Sequence, residues 1–277
     1  MLVVTPTIVD RLVRIEAENL RSRLQHYVDG DANPCGVHMK RFGDATAFIA
    51  LDIPTRFFNS VLAVSLETAK HLDAIKAFYA EHGRKPIFEI APGRFDEAFG
   101  EALAERGYRM VEFHTGLARE LTPDDRHREA PDVERVDPFD AAAFDAWIDV
   151  FNEGWSGPGD HSGAKSNMRK WKANDAWQFF LARVDGSPAG AAILDVQGPT
   201  AMMGSASTPE AFRGRGLQRQ LLDRRIAAAA EAGCDLVVGG SYFDNVSMRN
   251  QQRAGLYTAF TRGIWTHRDD PAPPPSH

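Results

Sequence analysis

One order of apolar segments occurs twice along this chain, and few folds accept it. In the second half, Trp177–Val184 (WQFFLARV) and Pro188–Val196 (PAGAAILDV) alternate like two strands joined at Asp185-Gly186. A third apolar run ends at Thr208, and Leu217, Leu221, Leu222, Ile226 and Ala229 then recur at helical spacing. Gly233 is placed to end that helix. Cys234–Val238 (CDLVV) reads as the next strand, a short helix closes near Gly255, and Leu256–Trp265 alternates again. The first half repeats the order. Val37–Lys40, Thr46–Ile53 and Ser60–Leu66 read as strands, and a helix is expected over Thr68–Glu81 before Gly83. Strand Pro86–Ile90, helix Phe95–Arg106 and extended Tyr108–Arg119 follow. The spacing from Gly83 to Gly107 nearly matches that from Gly233 to Gly255. A tandem duplication of one α/β (α+β) unit is therefore expected. The polar stretch Leu121–Asp137 (LTPDDRHREAPDVERVD), with two prolines, is the best linker. The expected domains are 1–124 and 130–268, with the proline-rich 269–277 as a disordered tail.

Composition narrows the partners. The 277 residues carry a net charge of −6, with 43% hydrophobic and 25% charged residues, as in a folded protein. That acidic balance disfavours nucleic acid. Cys35 and Cys234 lack metal-type spacing, so no metal is expected and the thiols should be reduced, in the cytoplasm. Charge enters at Asp10 and Arg11, too early for a secretory apolar region, and no apolar run is long enough to span a membrane.

Against this acidic background, Arg213-Gly214-Arg215-Gly216 stands between the third apolar run and the amphipathic helix. A helix start offers unpaired N–H groups and a partial positive charge. Glycine allows a ligand to approach the backbone, and arginine adds paired donors. The loop thus suits a phosphorylated ligand. A P-loop would need Gly-Lys-Ser/Thr, which is missing, and a dinucleotide turn would need a third glycine where Arg219 stands. The pyrophosphate loop of an acyl-CoA-dependent transferase fits best. At the corresponding point the first half has Ser65-Leu66-Glu67-Thr68, with no glycine and a carboxylate.

These residues resemble the GCN5-related N-acetyltransferase (GNAT) superfamily. Its loop reads Arg/Gln-x-x-Gly-x-Gly/Ala, and Arg213-Gly214-Arg215-Gly216-Leu217-Gln218 matches five of six positions, Gln218 replacing the small last residue. Asp244–Leu256 resembles the family's second cofactor segment, with Ser247 and Asn250 at polar positions and Gln251 where a tyrosine is common. The resemblance covers about Val133–His267. It implies two GNAT-like domains, each a mixed, mostly antiparallel twisted sheet flanked by helices, the N-terminal copy degenerate. It also implies acetyl-CoA as cosubstrate. Arg213 and the amides of Arg215–Gln218 would hold the pyrophosphate, and the backbone at Ser207 and Thr208 would face the thioester. The implied reaction is direct attack of a primary amine of a small molecule, by a monomer or homodimer. Thr200–Thr208 contains no carboxylate, so no general base is named. The alternative is a non-catalytic acyl-CoA sensor or scaffold.

Plainer readings stand beside these. Gly214 and Gly216 would also serve a tight turn, Arg215 and Arg219 would serve as solvated charges, and Asn250 as a surface residue. Ser247 is equally placed to cap its helix. In Phe151–Gly163 (FNEGWSGPGDHSG), Glu153, Trp155, Asp160 and His161 would suit a cation-binding pocket. The same stretch also reads as a flexible loop with Trp155 buried.

Overall fold

The computed structural model describes residues 2–29, 33–53 and 55–269. The expected disordered tail lies outside the described residues apart from Asp269. In chain order the elements are α1 (Pro6–Val28), β1 (Val37–Phe42), β2 (Ala45–Ala50), β3 (Val61–Leu62), α2 (Leu72–Ala80), β4 (Phe88–Ile90), α3 (Glu97–Glu105) and β5 (Tyr108–Glu120). They continue with β6 (Val133–Val136), α4 (Ala141–Ser156), α5 (Ser162–Met168), β7 (Trp177–Val184), β8 (Ser187–Gln197) and β9 (Thr200–Ser207). Last come α6 (Leu217–Glu231), β10 (Leu236–Tyr242), α7 (Val246–Arg253) and β11 (Tyr257–His267).

The described residues form two compact units, one within 3–116, 241–243 and 258–269, the other within 117–240 and 244–257 together with Leu2. Each has the same strand logic. In the N-terminal unit β1, β2 and β3 pair antiparallel, and β3 then pairs parallel with β4. In the C-terminal unit β6, β7, β8 and β9 pair antiparallel, and β9 pairs parallel with β10. The duplication expected from the sequence is visible in that pattern.

Three features depart from the expected layout. The sequence pattern assigns the final strand to the second domain, 130–268. Yet β11 pairs antiparallel with β4, Gly263 opposite Ile90 and Trp265 opposite Phe88, and completes the N-terminal sheet. Helix α1 had no sequence assignment. Pro6 begins it, Thr5 Oγ1 accepts from the Ile8 amide, and Leu12, Leu20 and Leu24 are fully buried. Its buried face also carries Glu16 and Arg23, which interrupt the apolar stripe. The supposed linker is folded. Asp125, only 4% exposed, accepts from Arg119 Nη2 at 2.7 Å and Arg128 Nε at 2.9 Å. Arg128 also pairs with Asp223 of α6 at 2.5 Å, and Asp223 with Arg219. The charges that suggested a solvated linker instead bind one another.

The C-terminal sheet is covered on both faces because its strands alternate two apolar sets. Phe179, Leu181 and Ile193 pack with Phe144, Trp147 and Phe151 of α4. Phe180, Ala182 and Leu194 pack with Leu217, Leu221 and Ile226 of α6. Burial of each such side chain contributes about 1.5–3 kcal/mol. Trp147 also donates Nε1–H to the Phe180 carbonyl at 3.0 Å, so its one polar atom is satisfied in the core.

Burial works against the Asp125 carboxylate, but the Thr122 amide, Arg128 and Arg119 outweigh it and hold its pKa below the ordinary value. Asp125→Ala should cost about 3 kcal/mol at neutral pH, because it removes the carboxylate paired with Arg119 and one of the two paired with Arg128. A depressed carboxylate contributes stability above its unfolded pKa of about 4 and loses it as pH falls further. Urea titrations should therefore show the wild-type advantage at pH 7 shrinking toward pH 3. A constant difference across that range would assign the loss to packing rather than charge.

Candidate functional site

Strands β9 and β10 pair over only three residues, Thr200–Met202 against Leu236–Val238. Beyond that point β9 continues to Ser207 beside β8, with Ala191 opposite Ser207, and the parallel partner is gone. The resulting gap opens at the C-terminal ends of two parallel strands, where α/β sheets commonly take ligands.

The loop leaving β9 is shaped around that gap. A 3-10 turn covers Glu210–Phe212, and Arg213 donates Nε–H to the Thr208 carbonyl at 3.2 Å. Gly214 and Gly216 both have φ of +77°. A Cβ at either would meet nothing within 4 Å, so it is the backbone conformation, not crowding by the protein, that favours glycine here. Leu217 is buried and anchors the first turn of α6 in the core. Among the described residues, no acceptor is recorded for the amides of Gly214–Gln218, whereas those of Arg219 and Gln220 reach the Gly216 carbonyl. A row of free N–H groups thus meets the positive end of a 15-residue helix.

The arginines divide by environment. Arg215 is exposed, and the Arg213 guanidinium lies beside the loop through its bond to Thr208. Arg219 is fixed instead, donating to Asp223 and, at 2.6 Å, to the Arg253 carbonyl at the end of α7. It holds α6 to α7 and is neither a loose charge nor a free donor. Gln218 turns its amide onto Thr208 Oγ1 at 2.9 Å, which explains how a long side chain is accommodated at the loop's last position.

Of the second motif, Asn250 and the exposed Ser247 lie on α7. Ser247 does not cap the helix. Asn245 does, its Oδ1 accepting from the Met248 amide at 2.8 Å, because the cap must precede the first helical residue. Gln251 is buried, with Nε2 3.3 Å from both the Gly240 carbonyl and Ser247 Oγ. A Cβ on Gly239 would stand 2.1 Å from Gln251 Oε1, so that glycine makes room for the amide.

The residues suggested for substrate lie on and after α4. Ser207 Oγ donates to the Phe151 carbonyl at 3.0 Å, tying β9 to α4. One turn later Gly154 lies against the strand end, and a Cβ there would approach Ser207 Cβ to 2.6 Å and the Thr208 nitrogen to 2.9 Å. Glu153 and Trp155, either side of this contact, are exposed, Trp155 to 53%; the expectation of a buried Trp155 is thereby overturned. Among the described residues Glu153 makes no ion pair, while Asp145 and Asp149 are engaged by Arg169 and Lys165. Asp160 accepts from the Ser162 amide, and that bond, with the Ser162 hydroxyl, holds its pKa below the usual range. His161 Nε2 lies 2.9 Å from the Gly157 carbonyl. A carbonyl only accepts, so Nε2 carries hydrogen and Nδ1 is the basic atom of the neutral ring. Asp160 and His161 thus stand on the loop between α4 and α5, with Glu153 and Trp155 nearer the strand end. Among the described residues no cluster suited to a metal ion occurs, and no helix is long and apolar enough to cross a membrane.

Sequence reasoning missed Gly154, whose signal was a glycine inside an otherwise regular helix. Gly154→Ala should lose about 2 kcal/mol despite alanine's better helix propensity, because the new methyl meets backbone that cannot yield. Chemical denaturation of the variant decides it; a gain in stability would mean that α4 retreats freely from β9.

The model of the acetyltransferase (GNAT) family matches residues 144–260. No curated protein matches the chain. Among solved structures, a GCN5-related N-acetyltransferase from Kribbella flavida is 18% identical with a TM-score of 0.60, over 92% of this chain and 96% of that one. A tandem GNAT protein from the clavulanic acid biosynthesis pathway is 14% identical with a TM-score of 0.60, over 93% and 96%. A GCN5-related N-acetyltransferase from Sphaerobacter thermophilus is 14% identical with a TM-score of 0.54, over 93% and 90%. At these identities the likeness is one of fold.

Proposed function

This chain carries an acetyltransferase (GNAT) family domain at residues 144–260, and from that premise we propose that its C-terminal unit acetylates a primary amine of a small molecule, with acetyl-CoA as donor. The observation that carries the reading is the row of free amides at Gly214–Gln218, on a positive-φ loop beside the gap between β9 and β10. Residues present there suit a pyrophosphate: five N–H groups, a helix N-terminus and the cations Arg213 and Arg215. Ser247 and Asn250 would lie along the ligand's arm. Bound acetyl-CoA supplies an activated acyl carbon and a thiolate leaving group.

The protein's own contribution is positional. The backbone at Ser207 and Thr208 would face the developing negative charge on the acyl oxygen, held rigid by the bond from Ser207 to α4. The neutral amine attacks the acyl carbon, the C–N bond forms, the C–S bond breaks, and one proton passes from nitrogen to the departing sulfur. Glu153, Trp155, Asp160 and His161 would receive the amine. An exposed carboxylate and an exposed indole attract the cationic form in solution, and His161 Nδ1 is the one basic imidazole nitrogen among these four residues.

A second reading, acyl-CoA binding without catalysis, is favoured by one observation: the tyrosine position of the second motif holds Gln251, whose amide is turned onto backbone and Ser247. Thiol release from acetyl-CoA, measured with and without amino acids, polyamines and aminoglycosides, separates the two. Amine-dependent release is expected; tight CoA binding by calorimetry with no release would establish the second reading, and absence of both would overturn each.

The loop assignment has its own test. Gly216→Ala and Gly216→Trp share the same backbone strain, about 1–2 kcal/mol for a side chain in the left-handed region. Only tryptophan fills the space beside the amides. CoA affinity should fall at least tenfold further in the tryptophan variant than in the alanine one. Equal affinities in two folded variants would place the ligand elsewhere.

A further inference from the structure

One side chain breaks the apolar stripe of α6. Arg225 stands one turn after Leu221, is 2% exposed, and has no carboxylate within ion-pair distance among the described residues. Burial pushes its pKa down to about 10. A guanidinium so placed is costly, and an apolar residue of similar length would fill the space more cheaply. Its partners show what it does. Nε donates to the Leu221 carbonyl at 2.9 Å, within its own helix. Nη1 reaches out to the sheet, 3.3 Å from the Ile193 carbonyl and 3.1 Å from the Gly204 carbonyl.

Those two carbonyls belong to an irregularity in the sheet. Ala192 faces Ala206, but Leu194 faces Met203, so Gly204 and Ser205 of β9 stand against Ile193 alone. An extra residue of this kind leaves ladder groups unmatched and bends its strand. Gly204 suits the bend, since a Cβ there would lie 3.2 Å from Ile193 Cβ and 3.3 Å from the Ile193 carbonyl oxygen. The bulge begins two residues after Met202, the last residue of β9 paired with β10, and precedes Ser207 and Thr208.

We propose that Arg225 is a positioning residue for acyl transfer: by bonding the Ile193 and Gly204 carbonyls it fixes the bulge of β9 and so sets where the backbone at Ser207 and Thr208 projects. It touches neither the acyl donor nor the amine. The inference rests on the acetyltransferase reading above, in which those two residues face the thioester. It adds a device that acts from the body of α6. Because the pyrophosphate would lie on the loop at 213–218, two turns earlier on α6, donor binding and turnover should separate.

The test uses the full chain, with Arg225→Met to keep side-chain length without donors and Arg225→Lys to keep the charge. In Arg225→Met, kcat should fall at least tenfold while the Kd for CoA stays within threefold. Amide hydrogen exchange should accelerate at residues 204–208 and not in β7. Arg225→Lys, able to reach one carbonyl, should recover part of kcat. Unchanged turnover, or exchange that rises evenly over the whole sheet, would overturn the proposal. If Arg225→Met does not fold, Gly204→Ala decides: it keeps the arginine, displaces the bulge, and should lower kcat with the same unchanged CoA affinity, whereas normal turnover refutes the role. Failure of the underlying acetyltransferase reading is distinguishable, since wild-type protein would then neither bind CoA nor release thiol, while the exchange pattern still reports whether Arg225 holds the bulge.

Discussion

The parting of β9 from β10 after three residue pairs is the constraint that the C-terminal unit is built around. A parallel strand that loses its neighbour exposes a row of N–H and C=O groups, and inside a protein each must find another partner or remain available to a ligand. Around the gap several such groups are engaged by side chains. The bulge carbonyls at Ile193 and Gly204 take the Arg225 guanidinium, and Ser207 binds the end of α4. Past the strand, Arg213 and Gln218 occupy the Thr208 carbonyl and hydroxyl. Among the described residues the amides of Gly214–Gln218 are left without an internal partner, and it is on them that the proposed binding rests.

Packing explains why the gap stays open. Closing it would require β9 to straighten, and its two flanks resist. On one face α4 is pinned through Gly154, whose missing side chain brings helix and strand into direct contact. On the other, α6 is held by Leu217, Leu221 and Ile226 in the core and by the chain of charges from Asp125 through Arg128 and Asp223 to Arg219. Because Arg219 goes on to the Arg253 carbonyl, the same chain fixes the two helices that carry the two candidate cofactor motifs. A segment that looks like a linker therefore contributes to the geometry of the site.

The strands of the C-terminal unit and the loop were legible because their signals are local: alternation marks β7 and β8, and glycines between arginines mark a strand-to-helix turn that needs positive φ. What escaped were features defined by distant partners. Nothing near Asp125 in sequence announces Asp223, and the fate of Leu121–Asp137 was misjudged for that reason. Tyr257–His267 alternates like a strand in either unit, and only its register with β4 decides where it belongs. Arg225 was visible as a charge within an apolar stripe, but its purpose depends on a bulge that no local pattern encodes. Helix α1 was obscured by Glu16 and Arg23, polar residues on a face that periodicity expects to be apolar.

The N-terminal unit meets the same constraint with a different turn. Its parallel strands part even sooner, with Val61 opposite Phe88 as the one register pair of β3 and β4. Yet the turn that follows closes on itself: the Ser65 amide donates to Thr68 Oγ1 at 3.0 Å, and a 3-10 helix starts at Leu66. Glu67 adds a negative charge, paired with Lys70, where an anion would need a positive one. Within the unit Arg262, 4% exposed, is claimed by Glu16 at 2.6 Å and Glu89 at 3.4 Å, and burial raises the Glu16 pKa in spite of that arginine. Arg262 and the two carboxylates are thus turned toward one another. Two copies of one strand order thus differ at the turn that follows β9 in one and β3 in the other, which carries free amides and arginines in the C-terminal unit and is capped, with a carboxylate, in the N-terminal one.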